Sequence, residues 1–356
     1  MAVPSPLPPR DGVNATRLRL PPAGAAASGG PATVQDHVLH RFGHVDPDGI
    51  RERFARGEVV DRHGRPIPAD TPLGVHEDLW YYRDVPDERP LPVRHTLLHR
   101  DERLVVIHKP HFLPTTPGGR YVQETALVRL RNELGIDDLV PLHRLDRATA
   151  GVVMFSCDPA TRGAYHLLFE RRAVTKRYEA VCALPEAPDG VGDDTPDAAR
   201  AAGLLARFPL VMRSRIRKDK GVLRSVTEEI PAAASGRAAG ARVRTKKSNL
   251  SHAGANAETR IEVLDVGTSA GTLAGRPVVR FGLSPRTGRT HQLRIHLAAL
   301  GLGIAFDPFY PDLRDIAPDD LARPLQLLSR SLAFTDPVTG EAREFVSPAQ
   351  LQERPA

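Results

Sequence analysis

Apolar and polar positions along this 356-residue chain fall into short runs whose spacing predicts its elements. Arg103-Leu104-Val105-Val106-Ile107-His108-Lys109-Pro110 reads as a strand closed by a proline, which cannot donate into a central ladder. Val152-Val153-Met154-Phe155 is a second apolar run. Between them, Thr125 to Leu134 follows helical spacing, with Leu127, Val128, Leu130 and Leu134 apolar and Gly135 placed as a C-cap. Asp158-Pro159 make an N-cap and first-turn pair for a helix running to about Arg172. Tyr178 to Val181 reads as a strand, and ordered structure resumes at Thr259-Arg260-Ile261-Glu262-Val263-Leu264. Nearer the N-terminus, Ile50 to Phe54 predict a short helix, Gly64 a turn and Leu79-Trp80-Tyr81-Tyr82-Arg83 a strand. Gln292 to His296 fits two periods. If extended, Leu293 and Ile295 share one face while Gln292, Arg294 and His296 share the other. If helical, Arg294 lies opposite Leu293 and Leu297.

These elements divide the chain into three parts. Residues 1–35 are rich in Pro, Ala and Gly and bury too little to offset their ordering entropy, which predicts a disordered tail. Within it, Asn14 to Pro21 is an extended segment able to dock on the body. Residues 36–95 form a small module, and the main domain runs over 96–350. An Ala/Gly-rich, basic insertion at 221–256, containing Arg242-Val243-Arg244-Thr245-Lys246-Lys247, interrupts that domain; a loop of such length is usually functional or disordered.

Composition narrows the partners. The net charge of +6 favours a polyanion, because counterions released from phosphates drive Lys/Arg binding, although an Arg-rich proteome gives the same balance. Cys157 and Cys182 are the only cysteines, too few for a disulfide framework or a Cys-rich metal site, so a reducing, cytoplasmic location is expected. No basic start followed by an apolar stretch precedes the body, and no run approaches membrane-spanning length. A Gly-rich phosphate loop and a dinucleotide fingerprint are both missing, so no cofactor is expected.

The candidate chemistry lies in two dense blocks. His143-Arg144-Leu145-Asp146-Arg147-Ala148-Thr149-Ala150-Gly151 sets one carboxylate among cations beside a small-residue turn. Thr287-Gly288-Arg289-Thr290-His291-Gln292-Leu293-Arg294-Ile295-His296 follows about 140 residues later. Taken alone, Asp146 is more simply a turn residue whose side-chain oxygens fix the backbone, and Tyr178 a core residue entering a strand. A metal-dependent nuclease would need His143, Asp146, His291 and His296 to converge, and the chain has none of the tight ligand spacings that zinc sites favour.

HRLD-x-x-T-x-G followed by TGRTHQLRIH resembles the RluA family of RNA pseudouridine synthases. Asp101 through Pro110 matches that family's opening strand, and Lys176-Arg177-Tyr178-Glu179-Ala180 its K-x-Y-x-A segment. Residues 36–95 are either similar to the S4-type RNA-binding module that many members carry or an ordinary extension. The resemblance implies an α+β fold with a mixed, largely antiparallel central sheet, flanking helices and a central RNA-binding cleft. It implies isomerisation of a uridine in rRNA or tRNA, with no metal, by a monomer. It assigns Asp146 as the catalytic carboxylate, Arg294 as its paired cation and Tyr178 as the residue stacked on the uracil. A carboxylate suits work at C1′ or C2′, and a buried cation beside it would keep it ionised. Arg144, Arg289, His291 and Lys176 are the RNA-contact candidates. Arg215 and Lys218 join them from the basic 213–256 region, which also holds Arg213, Arg217, Lys220, Lys246 and Lys247.

The chain departs from the family pattern in several places. Residues 303–311 keep Asp307 and Tyr310 but lack a glycine before the aspartate and a proline before Ile304. Thr149-Ala150-Gly151 stands for Thr-Ser-Gly, and Gln326-Leu327-Leu328-Ser329 for Leu-Leu-His-Ala. None touches Asp146, Tyr178 or Arg294, but they leave the target uridine unassigned. An RNA-binding protein that has lost catalysis is the alternative on the same fold.

Overall fold

The computed structural model describes residues 4–22, 30–44, 46–83, 88–184, 202–219, 222, 224–228, 254–313 and 319–356. Two compact units divide the chain: Met1–Pro90 with Thr116–Leu139, and Leu91–Thr115 with Val140–Ala356.

In the first unit, strand β1 (Thr16–Arg19) pairs antiparallel with β2 (Asp78–Tyr81), placing Leu18 opposite Leu79. Helix α1 (Val34–Phe42) starts at Thr33, whose hydroxyl accepts from the Asp36 amide. Helix α2 (Pro47–Ala55) starts at Asp46, with Pro47 in the first turn, where its missing N–H costs nothing. Val34, Val38, Ile50 and Phe54 from the two helices share a core with Leu18, Leu20 and Leu79. Within the tail expected over residues 1–35, the extended segment Asn14 to Pro21 contains β1 and packs Leu18 and Leu20 into this core. The strand it pairs with lies some sixty residues away, so the local sequence does not name the partner. Residues 1–3 and 23–29 of that tail lie outside the described residues.

Helix α3 (Ala126–Leu134) begins at Thr125, whose side chain accepts from the Val128 amide, and ends at Gly135 with φ of 66°. A glycine adopts that left-handed conformation at little cost. The helix belongs to the first unit rather than to a continuous domain from residue 96. Arg131 shows why: its buried guanidinium donates to the Gly12 carbonyl at 2.9 Å, Asn14 Oδ1 at 2.8 Å and the Leu139 carbonyl.

The second unit is built on a sheet of eleven strands among the described residues. Its strands are β3 (Thr96–Arg100), β4 (Leu104–Lys109), β5 (Val140–Pro141), β6 (Ala150–Ser156), β7 (Thr175–Ala183), β8 (Leu210–Arg217), β9 (Val226–Glu228), β10 (Ala257–Thr268), β11 (Pro277–Pro285), β12 (Leu327–Thr335) and β13 (Ala342–Val346). The order is β3-β4-β6-β12-β7-β11-β10-β8-β9, with β13 on β12 and β5 on β6. Only the β6–β12 pairing is parallel, so the sheet is mixed and largely antiparallel, as expected. Helix α4 (Pro159–Glu170), capped by Asp158, sends Tyr165 into a cluster with Leu104, Val106, Val152 and Met154. Helix α5 (Gln292–Ala299) packs Leu293 and Leu297 against Ala180, Cys182, Phe281 and Leu283.

Two details bear on the site. Gly151 has φ of 121°, and a Cβ there would stand 2.2 Å from the Ser329 carbonyl oxygen. Only a glycine lets β6 and β12 approach so closely. Strand β9 also falls inside the region expected to be an Ala/Gly-rich loop, where it pairs Arg215 with Glu228. Lys220, Lys246 and Lys247 lie outside the described residues.

Candidate active site

Asp146 sits on the loop between β5 and β6, and the loop is held by its carbonyls. Thr115 Oγ1 donates to Leu145 O at 3.0 Å, and the Leu145 amide donates back to the same hydroxyl. His111 Nδ1 lies 2.7 Å from Ala148 O. Lys109 Nζ donates to Pro110 O at 2.9 Å, Leu113 O at 2.7 Å and Arg147 O at 3.4 Å. The Thr149 amide closes a turn on the Asp146 carbonyl. Burial pushes the Lys109 pKa down to about 7, while the Asp146 charge works the other way. The three carbonyl acceptors suit the ammonium form, which has three donors. The carboxylate at residue 146 is thus displayed from a fixed backbone with about a third of its side chain exposed.

Two groups flank that carboxylate. His291 Nε2 stands 3.8 Å from Asp146 Oδ2, and Arg294 Nη1 stands 3.9 Å from the same oxygen. His291 caps α5 in a left-handed conformation, φ 59°, and its Nδ1 meets the Tyr310 hydroxyl at 3.1 Å. Burial lowers its pKa to about 4; Asp146 opposes the shift, while Arg294 and Lys218 add to it. The ring is neutral at pH 7 and stands beside the Asp146 carboxylate.

Arg294 has a second carboxylate partner besides Asp146. Its fork closes on Asp307, Nε to Oδ2 at 2.8 Å and Nη2 to Oδ1 at 2.5 Å, with both side chains buried. Asp307 Oδ1 also accepts from the Phe309 and Tyr310 amides. The turn at 307–310 presents a carboxylate already oriented by backbone donors, and the planar guanidinium satisfies it with two parallel bonds. The guanidinium also lies over the Phe309 ring, 4.9 Å from its centroid. One nitrogen is left for Asp146, close enough for Coulomb attraction and too far for a hydrogen bond. The segment is helical, and Arg294 stays at ion-pair distance from Asp146 while its two side-chain hydrogen bonds go to Asp307.

Tyr178 faces the same region from β7. It stands opposite Ser329 of β12 and packs on the core beneath α5. Burial raises its hydroxyl pKa to about 12, and the nearby Asp146 charge pushes in the same direction. At neutral pH the phenol keeps its proton.

The expected RNA contacts divide. Lys176 and Arg289 line one cavity of about 240 Å³ with Arg172 and Arg286. Lys218 lies near enough to His291 to act on its charge. Arg144 is exposed on the Asp146 loop. Arg215 lies on β8, while Arg213 and Arg217 are paired with Glu258 and Asp219. The four residues a metal site would need do not converge. His143 stacks on Phe169 and accepts from the Met154 amide, and His296 is buried between Ser214 and Thr259. Among the described residues no group of three or more His, Cys, Asp and Glu could hold a metal ion, and no helix is long and apolar enough to cross a membrane.

Sequence reading gave Asp307 and Lys109 no role, though both stood in recognised segments. A lysine directly before the proline that ends an apolar strand was the available signal for Lys109.

Comparison with known proteins bears on this arrangement. The family model described as RNA pseudouridylate synthase matches residues 103–299. The dual-specificity RNA pseudouridine synthase RluA of Escherichia coli K12 is 28% identical over 258 residues, covering 72% of this chain and 93% of that protein. Its namesake in Haemophilus influenzae is 27% identical over 70% of this chain and 90% of its own. An uncharacterized RNA pseudouridine synthase of Synechocystis, slr1592, is 33% identical over 155 residues, 42% of this chain; that alignment spans about half, 53%, of the relative's length. Among solved structures, human RNA Pseudouridylate Synthase Domain Containing 1 superposes with a TM-score of 0.49 at 20% identity, covering 74% of this chain and 86% of its own.

Proposed function

Because the chain belongs to the RNA pseudouridylate synthase family, we propose that Asp146 is its catalytic carboxylate and that Tyr178 and Arg294 complete the site. The reaction breaks the bond between uracil N1 and ribose C1′, turns the base, joins C5 to C1′, releases the C5 proton and places a proton on N1. No atom is gained overall, so no co-substrate is consumed. The observation that carries the assignment is the Asp146 carboxylate on a pinned loop, within 4 Å of both Arg294 and neutral His291.

The chemistry follows from that geometry. Arg294 places positive charge near the carboxylate without hydrogen-bonding to it, which leaves both oxygens of Asp146 free to act on the sugar at C1′ or C2′. The Tyr178 ring offers a face on which the detached uracil can stack while it rotates, and its protonated hydroxyl can donate to the base. A uridine in structured RNA must be turned out of its stack to reach this loop, at a cost of roughly a few kcal/mol. Arg144, Arg289, Lys176, Arg215 and Lys218 are the groups we assign to backbone contacts that offset the cost. Transfer or ribosomal RNA in the cytoplasm is the substrate class, and the enzyme acts as a monomer. The alignment along 93% of a dual-specificity RNA pseudouridine synthase supports an RNA substrate.

Tritium release from RNA containing 5-tritiated uridine tests the reading. Asp146→Asn should fold and bind RNA yet release no tritium. Near-wild-type release by that variant would remove Asp146 from the mechanism. Pseudouridine mapping in cells with and without the protein identifies the target.

A further inference from the structure

The cavity holding Lys176 lies between the end of α4, the start of β7 and the turn before α5, and has a volume of about 240 Å³. Four cations line it, Arg172, Lys176, Arg286 and Arg289, against one carboxylate, Glu170. Arg289 Nε donates to Asn256 O at 3.2 Å, and Arg286 stands 3.7 Å from Glu258. Arg172 and Lys176 have no carboxylate partner among the described residues. We propose that this cavity seats one backbone phosphate of the RNA, adjacent to the uridine held at Tyr178; the proposal rests on the synthase reading above.

Three further observations support it. Lys176 and Tyr178 are two residues apart on β7 and so share a face, separated by roughly 6.6 Å of strand rise, about the reach of one nucleotide. Arg172 has φ of 58°, just past the end of α4, where glycine is the low-cost residue. Gly288 leaves the facing wall bare, with Lys176 Nζ 3.8 Å from where a Cβ would stand. Burial and repulsion from Arg172 both lower the Lys176 pKa, and with four cations against the single carboxylate of Glu170 the lining favours an added anion. A phosphodiester supplies one and accepts charge-assisted hydrogen bonds from both side chains.

Fluorescein-labelled octauridylate is the probe, titrated over a range of salt concentrations. Arg172→Gly suits the backbone at φ 58° and should weaken binding by roughly ten-fold, the effect of losing one hydrogen bond to a charged group. Arg172→Gly combined with Lys176→Met should lower the log–log salt slope by about 0.7, the value for one phosphate on a single strand. An unchanged slope would overturn the seat, and a loss of twice that size would place the two cations on separate phosphates. If Lys176→Met fails to fold, Arg172→Glu at the exposed position carries the test alone. Inorganic phosphate raising the melting temperature of the wild type but not of Arg172→Gly, with octauridylate binding unchanged, would assign the cavity to a free anion instead. Tritium release by the wild type separates the two failures. Release with an unchanged slope overturns the seat alone, whereas no release from any RNA overturns the synthase reading and the seat with it.

Discussion

Arg294 lies between two carboxylates, and replacing each in turn should give opposite results. Asp307 takes both arms of the fork at 2.8 and 2.5 Å, and both side chains are buried. Asp307→Asn keeps the shape and an oxygen for the Phe309 and Tyr310 amides, but it leaves a buried guanidinium without its counter-charge. Breaking one side of a buried pair costs roughly 3–5 kcal/mol; with the amide hydrogen bonds retained, about 3 kcal/mol is expected. Asp146 is 3.9 Å from the same cation and 31% exposed. At that distance the gross attraction is about 4 kcal/mol for an effective dielectric of 20. Solvent screening of a group this exposed reduces the net to about 1 kcal/mol or less. Asp307→Asn should therefore shift the urea midpoint clearly while keeping measurable turnover. Asp146→Asn should barely shift it while abolishing turnover. Circular dichroism is the suitable signal, because the single tryptophan, Trp80, lies in the first unit and Arg294 in the second. Equal destabilisation by the two variants, or a greater loss from Asp146→Asn, would refute the division into a structural and a catalytic carboxylate.

Three other outcomes are expected. Tyr178→Ala should lose turnover; Tyr178→Phe, which keeps the ring, tests in the tritium assay whether the protonated hydroxyl matters, and a fully active Ala variant would make the residue ordinary core. Burial lowers the pKa of His111, His291 and His296 to about 4 and of His143 to about 3, against 6.5 in the unfolded chain. Between pH 6.5 and 4 the unfolded chain then binds more protons, so the stability these residues contribute is full above pH 6.5 and lost as pH falls toward 4. Urea midpoints at pH 7 and pH 5 check this, and equal midpoints would contradict it. Gly151→Ala should destabilise by roughly 3 kcal/mol or more, as steric overlap with the Ser329 carbonyl adds to a strained φ; an unchanged thermal midpoint would show that β6 and β12 can part.

Much of the local structure was legible because its signals are local. Thr125 and Gly135 bracket α3, Asp158-Pro159 open α4, and the apolar runs at 104–107 and 152–155 lie within β4 and β6. What the sequence left unspecified is pairing, which depends on partners remote in the chain. β1 forms in a Pro/Ala/Gly-rich stretch because β2, about sixty residues later, completes its ladder and Leu79 faces Leu18. The parallel insertion of β12 beside β6 brings Ser329 against Gly151 across 178 residues of chain, and nothing in either segment alone specifies it.

The same distinction bears on the two carboxylates beside Arg294. Motif order placed Asp146 and Arg294 in one site, and they are in one site. It could not decide which carboxylate takes the fork, because that depends on which one arrives already oriented. Asp307 does, since the Phe309 and Tyr310 amides fix its Oδ1 before any cation is considered. Asp146 has its backbone pinned through the Leu145, Arg147 and Ala148 carbonyls, while its side chain is free of any comparable clamp. A carboxylate that accepted both arms of a guanidinium would have its oxygens occupied and its reactivity lowered. By binding Asp307 instead, Arg294 brings charge near Asp146 without occupying its oxygens. On the proposed reading, the catalytic role of Asp146 depends on a second carboxylate whose own role is structural.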